Sequence, residues 1–104
     1  MFDVKRKVNY MITGYHDTDT EEVFQGGKGN KNWESFVRVA RRKLLMLNAA
    51  TALRDLKSPP NNKLEALKKE RKGQHSIRVN DQYRICFIWD AGNASSVEIT
   101  DYHQ

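Results

Sequence analysis

The segment from His75 to Trp89 constrains the fold more than any other part of this sequence. It contains Ser76-Ile-Arg-Val79, the polar pair Asn80-Asp81, and then Tyr83-Arg-Ile-Cys-Phe-Ile-Trp89. Alternation before a turn-forming pair, followed by aromatic and β-branched residues, predicts two antiparallel strands joined by a tight turn. The second strand is apolar on both faces, so we expect it to lie in the centre of its sheet.

Arg84 is the exception within this apolar strand. Strand alternation places it on the same face as Cys86 and Ile88, opposite to the face that carries Ile85 and Phe87. Charged side chains are rarely buried unless they are paired. Arg84 is therefore either one half of an ion pair or a group that faces an anionic ligand, and the residues alone leave both interpretations open.

The first half of the chain has helical rather than strand-like spacing. Thr18 and Glu21 stand at capping-box spacing and predict a short helix, which Gly26–Asn30 ends. Apolar residues from Trp33 to Leu47 recur every three or four positions, which predicts a second helix capped by Asn32. We interpret the cations on its other side as a solvated face, with a binding surface as the alternative; they are Arg38, Arg41, Arg42 and Lys43.

The pair Pro59-Pro60 separates this helical half from a sheet half, after a further short helix expected over Ala49–Leu56. Beyond the prolines the apolar period changes from helical to extended. The remaining expected strands are Met11–Tyr15, Lys63–Lys68 and Ser96–Tyr102. The sequence thus predicts an α+β fold, with N-terminal helices packed on one face of a mainly antiparallel sheet of four to five strands.

Length and composition limit the classes of protein that remain. A chain of 104 residues forms one domain, which we expect over residues 11–104, with residues 1–10 as an unpatterned N-terminal extension. No apolar run approaches the ~20 residues that cross a bilayer. One cysteine excludes an internal disulfide and fits the cytoplasm, and three scattered histidines give no metal-ligand spacing. We therefore expect neither a metal nor a cofactor, and the net charge of +5 favours polyanionic partners.

Three motifs in this order carry a resemblance to a known family. They are Leu64-Glu-Ala-Leu-Lys68, the strand pair from Ser76 to Phe87, and the terminal Asp101-Tyr102-His103. Together they resemble the HigB toxins of the RelE/ParE-like superfamily, and the similarity runs from about Met11 to His103. The resemblance implies an endoribonuclease that cleaves mRNA in the A site of the small ribosomal subunit. It also implies a HigA-like antitoxin with a helix-turn-helix fold, so that DNA is contacted only indirectly, through the antitoxin complex.

The same resemblance implies a set of active-site residues. By motif these are Lys68, Arg84, Asp101, Tyr102 and His103. Nearby cations are expected to contact the RNA backbone, namely Lys69, Arg71, Lys72 and Arg78. Two places depart from the family pattern: Glu65 stands where some relatives have His, and Lys69-Glu70-Arg71 stands where some have Gly-Asp-Arg.

These residue types suit RNA cleavage by internal transesterification. The reaction needs a base for the 2′-hydroxyl, cations for the phosphorane charge and an acid for the departing 5′-oxygen. The planar fork of Arg84 matches two phosphate oxygens, and His103 has an ordinary pKa near neutrality. Tyr102 offers a ring for stacking on a base.

Two other functions remain as alternatives. One is a ParE-like poison that inhibits DNA gyrase without catalysis, and the other is a basic RNA-binding module in which the same residues form ion pairs. The terminal Asp101-Tyr102-His103 argues against a gyrase poison, because a protein that acts only by binding needs no acid–base group.

Overall fold

The computed structural model describes residues 12–102 of the chain. The expected N-terminal extension and His103 lie outside the described residues. Two α-helices come first, α1 (Thr18–Phe24) and α2 (Val37–Ala49). Four strands follow, β1 (Glu65–Ala66), β2 (Gln74–Arg78), β3 (Tyr83–Asp90) and β4 (Asn93–Asp101). Short 3₁₀ turns occur at Lys31–Trp33, Leu53–Lys57, Pro60–Asn62 and Lys69–Arg71.

The four strands form one antiparallel sheet in the order β1-β2-β3-β4. The strand pair predicted around Asn80-Asp81 is confirmed, and β3 lies inside the sheet as its apolar sequence predicts. The side-chain oxygen of Asn80 accepts hydrogen bonds from the backbone N–H groups of Gln82 (2.9 Å) and Tyr83 (2.7 Å). This arrangement closes the turn between β2 and β3, because an Asn side chain can take the place of a backbone acceptor.

One face of the sheet packs against the helices and forms the core. Ile77, Ile85 and Phe87 are fully buried there, together with Leu44 and Leu47 of α2. Alternation along each strand explains which strand residues face the core, since residues two apart share a face. The expected α+β arrangement is confirmed.

The segment Met11–Tyr15 is not a continuous strand, and this expectation is wrong for the described part, which begins at Ile12. Ile12 and Tyr15 each make an isolated parallel bridge, to Ala94 and Val97 of β4. Gly14 lies between the two bridges, and glycine weakens a strand because it has no side chain to pack.

Two predicted helix caps are displaced by one or two residues. The Asp17 side chain, and not Thr18, caps α1 by accepting from the Thr20 N–H at 2.7 Å. Asn30 caps the short turn Lys31–Trp33, and α2 begins only at Val37. Asp caps a helix better than Thr does, which favours Asp17 over the neighbouring Thr18.

Two further elements are shorter than predicted. Only the 3₁₀ turn Leu53–Lys57 replaces the helix expected over Ala49–Leu56. The strand expected over Lys63–Lys68 is reduced to β1, because Lys63 has a φ of 46° and cannot continue a strand.

The cationic side of α2 is only partly solvated. Arg38 and Arg42 are exposed, as expected. Arg41 instead donates to the carbonyl oxygens of Val23 (2.9 Å) and Gly27 (2.6 Å), which ties α2 to the end of α1. Lys43 is buried, so its assignment to a solvated face is wrong. The apolar spacing of α2 gives no sign of this burial, because Lys43 contacts Asn62 in the Pro60–Asn62 turn, which follows Pro59 in the chain.

Candidate functional site

The sheet face opposite the helices carries the polar side chains. The strand register places Glu65, Ser76, Cys86 and Glu98 in one row across β1 to β4. The neighbouring row contains Arg78, Arg84 and Thr100. We refer to this surface, defined by the two rows, as the open face. Its pattern follows from strand alternation, which turns every second residue away from the core.

Arg84 is held on the open face mainly by uncharged groups. Its Nε donates to the Ser76 hydroxyl at 2.7 Å, and its Nη2 donates to the Lys63 carbonyl oxygen at 2.6 Å. The nearest carboxylate oxygen among the ion pairs of residues 12–102, that of Glu65, is 4.0 Å from Nη2. The side chain is 15% exposed. The guanidinium is therefore fixed in place mainly by neutral acceptors, and Glu65 is a more distant ion-pair partner.

Arg84, Arg78 and Tyr102 line one open cleft of about 250 Å³. The remaining lining residues are Lys63, Glu65, Asn80, Asp81 and Gln82. Arg78 donates to the exposed Asp81 carboxylate. The cleft thus brings together Arg84, predicted for the active site, Arg78, predicted to contact RNA, and the aromatic ring of the terminal motif.

Arg71 extends the open face beyond this cleft. Its Nη1 donates to the side-chain oxygens of Gln74 and Glu98, both at 3.1 Å. Its Cζ lies 5.3 Å from the centroid of the Tyr102 ring, which is the distance range of a cation–π contact. Arg71 is therefore an ordered part of the face, and it helps to orient the Tyr102 ring.

The titration of Tyr102 and Cys86 reflects their position between these charges. Desolvation raises the pKa of Tyr102, the Cys86 thiol and Glu65 raise it further, and Arg71 and Arg84 oppose the change. Burial raises the pKa of Cys86 to about 11. Both groups are protonated at neutral pH, so Tyr102 is a phenol that can donate a hydrogen bond. Cys86 is fully buried, as predicted, and is not poised as a thiolate.

The other predicted cations lie around the 3₁₀ turn that carries Arg71. Lys68 precedes this turn, Lys69 begins it and Lys72 follows it, and all three side chains are exposed. Lys68 lies beyond the end of β1 that faces the start of β2, whereas Arg84 pairs with Arg78 at the opposite end of β2. Lys68 is accordingly not among the residues that line the cleft.

Asp101 and Gln82 lie at the end of the sheet nearest to the cleft. The Gln82 side-chain amide donates to the Asp101 carboxylate at 2.9 Å, and both residues are exposed. Asp101 ends β4 opposite Tyr83, immediately before Tyr102. The hydrogen bond links the turn after β2 to the terminal motif.

Several partners in this site were missed by the sequence interpretation. Ser76, Glu98 and the Lys63 carbonyl hold the predicted arginines, and Gln74 contributes a further acceptor. Ser76 and Glu98 pair with Cys86 across the sheet, so a correct strand register would have placed them on the open face. The Lys63 carbonyl gives no such signal, because its direction depends on the left-handed conformation of Lys63.

His16, Asp17 and Glu98 form a separate group whose ligand atoms lie within 4.8 Å of one another. Sequence spacing did not indicate this group, because the fold brings Glu98 next to residues more than 80 positions earlier. Asp17 already caps α1 and Glu98 already pairs with Arg71. Since both carboxylates have partners within the fold, we assign no cation to this group.

Within residues 12–102, no helix has the length and apolar character needed to cross a membrane.

The sequence also matches known proteins. Residues 13–103 match the family model of the RelE-like toxin of the type II toxin–antitoxin system HigB. Toxin HigB-1 of Vibrio cholerae serotype O1 is 40% identical over 85 residues, which are 81% of this chain and 90% of that protein. An uncharacterized protein of Haemophilus influenzae is 32% identical over 100 residues, 93% of this chain and 91% of the relative. This chain therefore belongs to the HigB-like family of RelE-like toxins, which act in type II toxin–antitoxin systems and are paired there with an antitoxin.

Proposed function

We propose that this toxin is a ribosome-dependent endoribonuclease that cleaves translated mRNA in the ribosomal A site and so inhibits translation. The observation that supports this most is Arg84, whose guanidinium is fixed by Ser76 and Lys63 in an open cleft beside Tyr102. An arginine held by neutral groups retains its attraction for phosphate, and its fork can bind two phosphate oxygens.

In the proposed reaction, the 2′-hydroxyl of one nucleotide gives up its proton to a base and attacks the adjacent phosphate, and the 5′-oxygen of the next nucleotide leaves with a proton from an acid. Arg84 stabilises the charge that develops on the phosphorane, because preorganised donors act most strongly where charge appears in the transition state. Tyr102 stacks on a base or donates to the phosphate, since its pKa is raised and it stays a phenol. Arg71 and Arg78 contact the neighbouring backbone phosphates.

The remaining roles rest on the family resemblance. We assign proton transfer to His103, a second cation to Lys68 and the orientation of the terminal motif to Asp101. Lys69 and Lys72 are exposed beside Arg71 and extend its cationic surface along the RNA. No metal or cofactor takes part in this proposal.

The ribosome supplies what a domain of this size lacks. Holding two reacting groups in the correct geometry accounts for a large share of catalysis, and in this proposal the A site holds the mRNA in position. The proposed site of action is therefore the cytoplasm. We further propose that the antitoxin is a HigA-like helix-turn-helix protein, and that the toxin meets DNA only through that antitoxin.

A cleavage assay with purified ribosomes and mRNA tests the proposal. Removing a preorganised donor to developing charge typically costs about 10²–10³-fold in rate, which we expect for Arg84→Ala. Removing an acid–base group typically costs about 10²–10⁴-fold, which we expect for a chain that ends before His103. Arg54→Ala is the control, because Arg54 is exposed in the Leu53–Lys57 turn and does not line the cleft.

The same assay separates the alternative functions. A gyrase poison or a passive RNA-binding module cleaves no mRNA in this assay. Either one should also keep its own binding activity when His103 and Gln104 are removed. If the shortened chain cleaves at the parent rate, His103 is neither the acid nor the base. If the parent protein cleaves no mRNA on ribosomes, the proposed activity is wrong.

A further inference from the structure

Lys43 is an unusual residue for the interior of α2. It is only 4% exposed, although lysine is almost never fully buried without a partner of opposite charge. Among residues 12–102 its ammonium group bonds the side-chain oxygen of Asn62, which is an amide and not a carboxylate. Burial lowers its pKa, and the nearby charges of Arg42 and Arg78 lower it further. Burying a charge is unfavourable for the free energy of folding, so we expect the buried Lys43 to serve a function.

Asn62 connects this lysine to the turn that follows the two prolines. Asn62 is fully buried, and its amide nitrogen donates to the carbonyl oxygens of Leu56 (3.1 Å) and Ser58 (3.3 Å). Its oxygen accepts from Lys43, so both ends of the amide are bonded within the fold. Because its oxygen and its nitrogen are both hydrogen-bonded, the Asn62 side chain fixes the path of the Pro60–Asn62 turn relative to α2.

The next residue carries this constraint to the cleft. Lys63 adopts the left-handed conformation directly after Asn62, with a φ of 46°. That conformation directs its carbonyl oxygen to the Arg84 guanidinium, 2.6 Å away. Arg84 thus depends on the position of a loop carbonyl, and the position of that loop depends on a hydrogen bond to a buried lysine.

We propose that Lys43 and Asn62 are positioning residues for Arg84, acting through the Lys63 carbonyl. Neither side chain lines the cleft, so we place neither in contact with the substrate. Lys43 holds Asn62, Asn62 fixes the turn, and the turn presents the acceptor that orients the guanidinium. This inference rests on the proposed function only for the catalytic role of Arg84; the positional link itself follows from the contacts.

Hydrogen exchange of the Arg84 Nε–H, followed by nuclear magnetic resonance, tests the link without any assay of activity. The Nε–H bonds the fully buried Ser76 hydroxyl, so its exchange is slow while the guanidinium is held. Lys43→Met keeps the apolar stem but removes the donor to Asn62, and we expect at least about tenfold faster exchange of this proton. Lys43→Gln keeps a hydrogen-bond donor on a side chain that is one bond shorter, and we expect exchange slower than in Lys43→Met.

Kinetics on ribosomes provide the second measurement. A misplaced catalytic group can cost up to about 10²-fold, so Lys43→Met should lower kcat by about 10-fold or more and leave KM unchanged. In an Arg84→Ala background, the same change should have less than about a twofold effect, because residues that act through one group are not additive. Val37→Ala, which removes a buried side chain elsewhere in α2, is the control for lost stability.

The outcomes decide between the inference and the activity on which it rests. If folded Lys43→Met retains the parent kcat and slow exchange while Arg84→Ala is inactive, the inference is wrong and the proposed function stands. If the parent cleaves nothing, the exchange measurement alone decides the link. Asn62→Ser breaks the same connection at its other end, and it replaces Lys43→Met if that variant does not fold.

Discussion

Cys86 is a titratable side chain that the fold removes from water, and Tyr15 is one that it buries in part. Cys86 lies on the open face in the same row as Ser76 and Glu98, and burial raises its pKa to about 11. Tyr15 packs against Phe24, and burial followed by the charge of Glu21 raises its pKa to about 12. In both cases the neutral, protonated form is the one that fits the folded state.

This has a consequence for stability at alkaline pH. A group whose pKa is raised on folding contributes stability that is fully present below its unfolded pKa and is lost as the pH rises through its folded pKa. The stability from Cys86 is therefore present below about pH 9 and lost through about pH 11. Lys43 acts in the opposite direction, because its pKa is lowered on folding.

We expect the free energy of unfolding to fall between about pH 9 and pH 11, and Cys86→Ala to reduce this fall. Urea unfolding at a series of pH values measures it. Tyr15→Phe is the matched variant, because it should reduce only the later fall between about pH 10 and pH 12. An equally steep decline in Cys86→Ala and the parent would show that the thiol does not contribute.

At this scale the sequence identified residues better than it identified their partners. Arg84 was recognisable because it interrupts an apolar strand, and Cys86 because it continues one. The acceptors of Arg84 were not, since a hydroxyl on β2 and a carbonyl after Asn62 become its neighbours only through the register and the turn. Lys43 was assigned to the wrong environment for the same reason.

The connection between α1 and α2 is an element whose glycines have different roles. Gly29 has a φ of 76° and packs directly beneath Trp33. A Cβ at Gly29 would lie 2.7 Å from the Trp33 ring and 2.9 Å from Val23, both of which are buried. Gly26 also has a positive φ, of 104°, but a Cβ there would meet no atom within 4 Å.

Gly29→Ala should therefore destabilise the protein more than Gly26→Ala. Both changes carry the backbone cost of a side chain at positive φ, and only Gly29→Ala adds an overpacked contact, which typically costs about 1–3 kcal/mol. Thermal or urea unfolding of the two variants gives the difference. Equal losses would mean that Trp33 moves aside without cost.

Elements were predictable where the pattern was local. The hairpin of β2 and β3 needs only alternation and an Asn turn, and it was found with its correct turn residues. The start of α2 and the length of β1 were not found, because the buried Trp33 and Phe36 and the left-handed Lys63 depend on contacts from distant parts of the chain.

For the whole molecule, the boundary of the folded domain remains a prediction. Residues 1–10 have neither a stripe nor an alternation, and the family match begins only at residue 13. We expect a chain that starts at Met11 to unfold with a free energy within about 0.5 kcal/mol of the parent. A loss of several kcal/mol in urea unfolding would instead require a buried contact made by the deleted residues.

The α+β organisation was predictable from the change of period at Pro59-Pro60, because one period serves helices and the other serves strands. The sequence predicted which residues belong to the site better than it predicted how those residues are placed relative to one another. Arg71, Arg78, Arg84 and Tyr102 do share the open face, while Lys68 lies toward its other end. The family motifs indicate which residues belong together, and only the strand register indicates how they are spaced.

The segment that was mistaken for a first strand protects the sheet. A long uncovered edge strand is a template for other chains, and natural proteins shorten such edges or cover them. Here one edge is the two-residue β1, and residues 12–16 cover the Ala94–Val97 part of the other edge, β4. The carbonyls of Ala94 and Val97 accept from Thr13 and His16, and the Val97 N–H donates to Gly14. Within residues 12–102, these contacts therefore reduce the free backbone at the sheet edges that could pair with another chain, even though the central strands are strongly apolar.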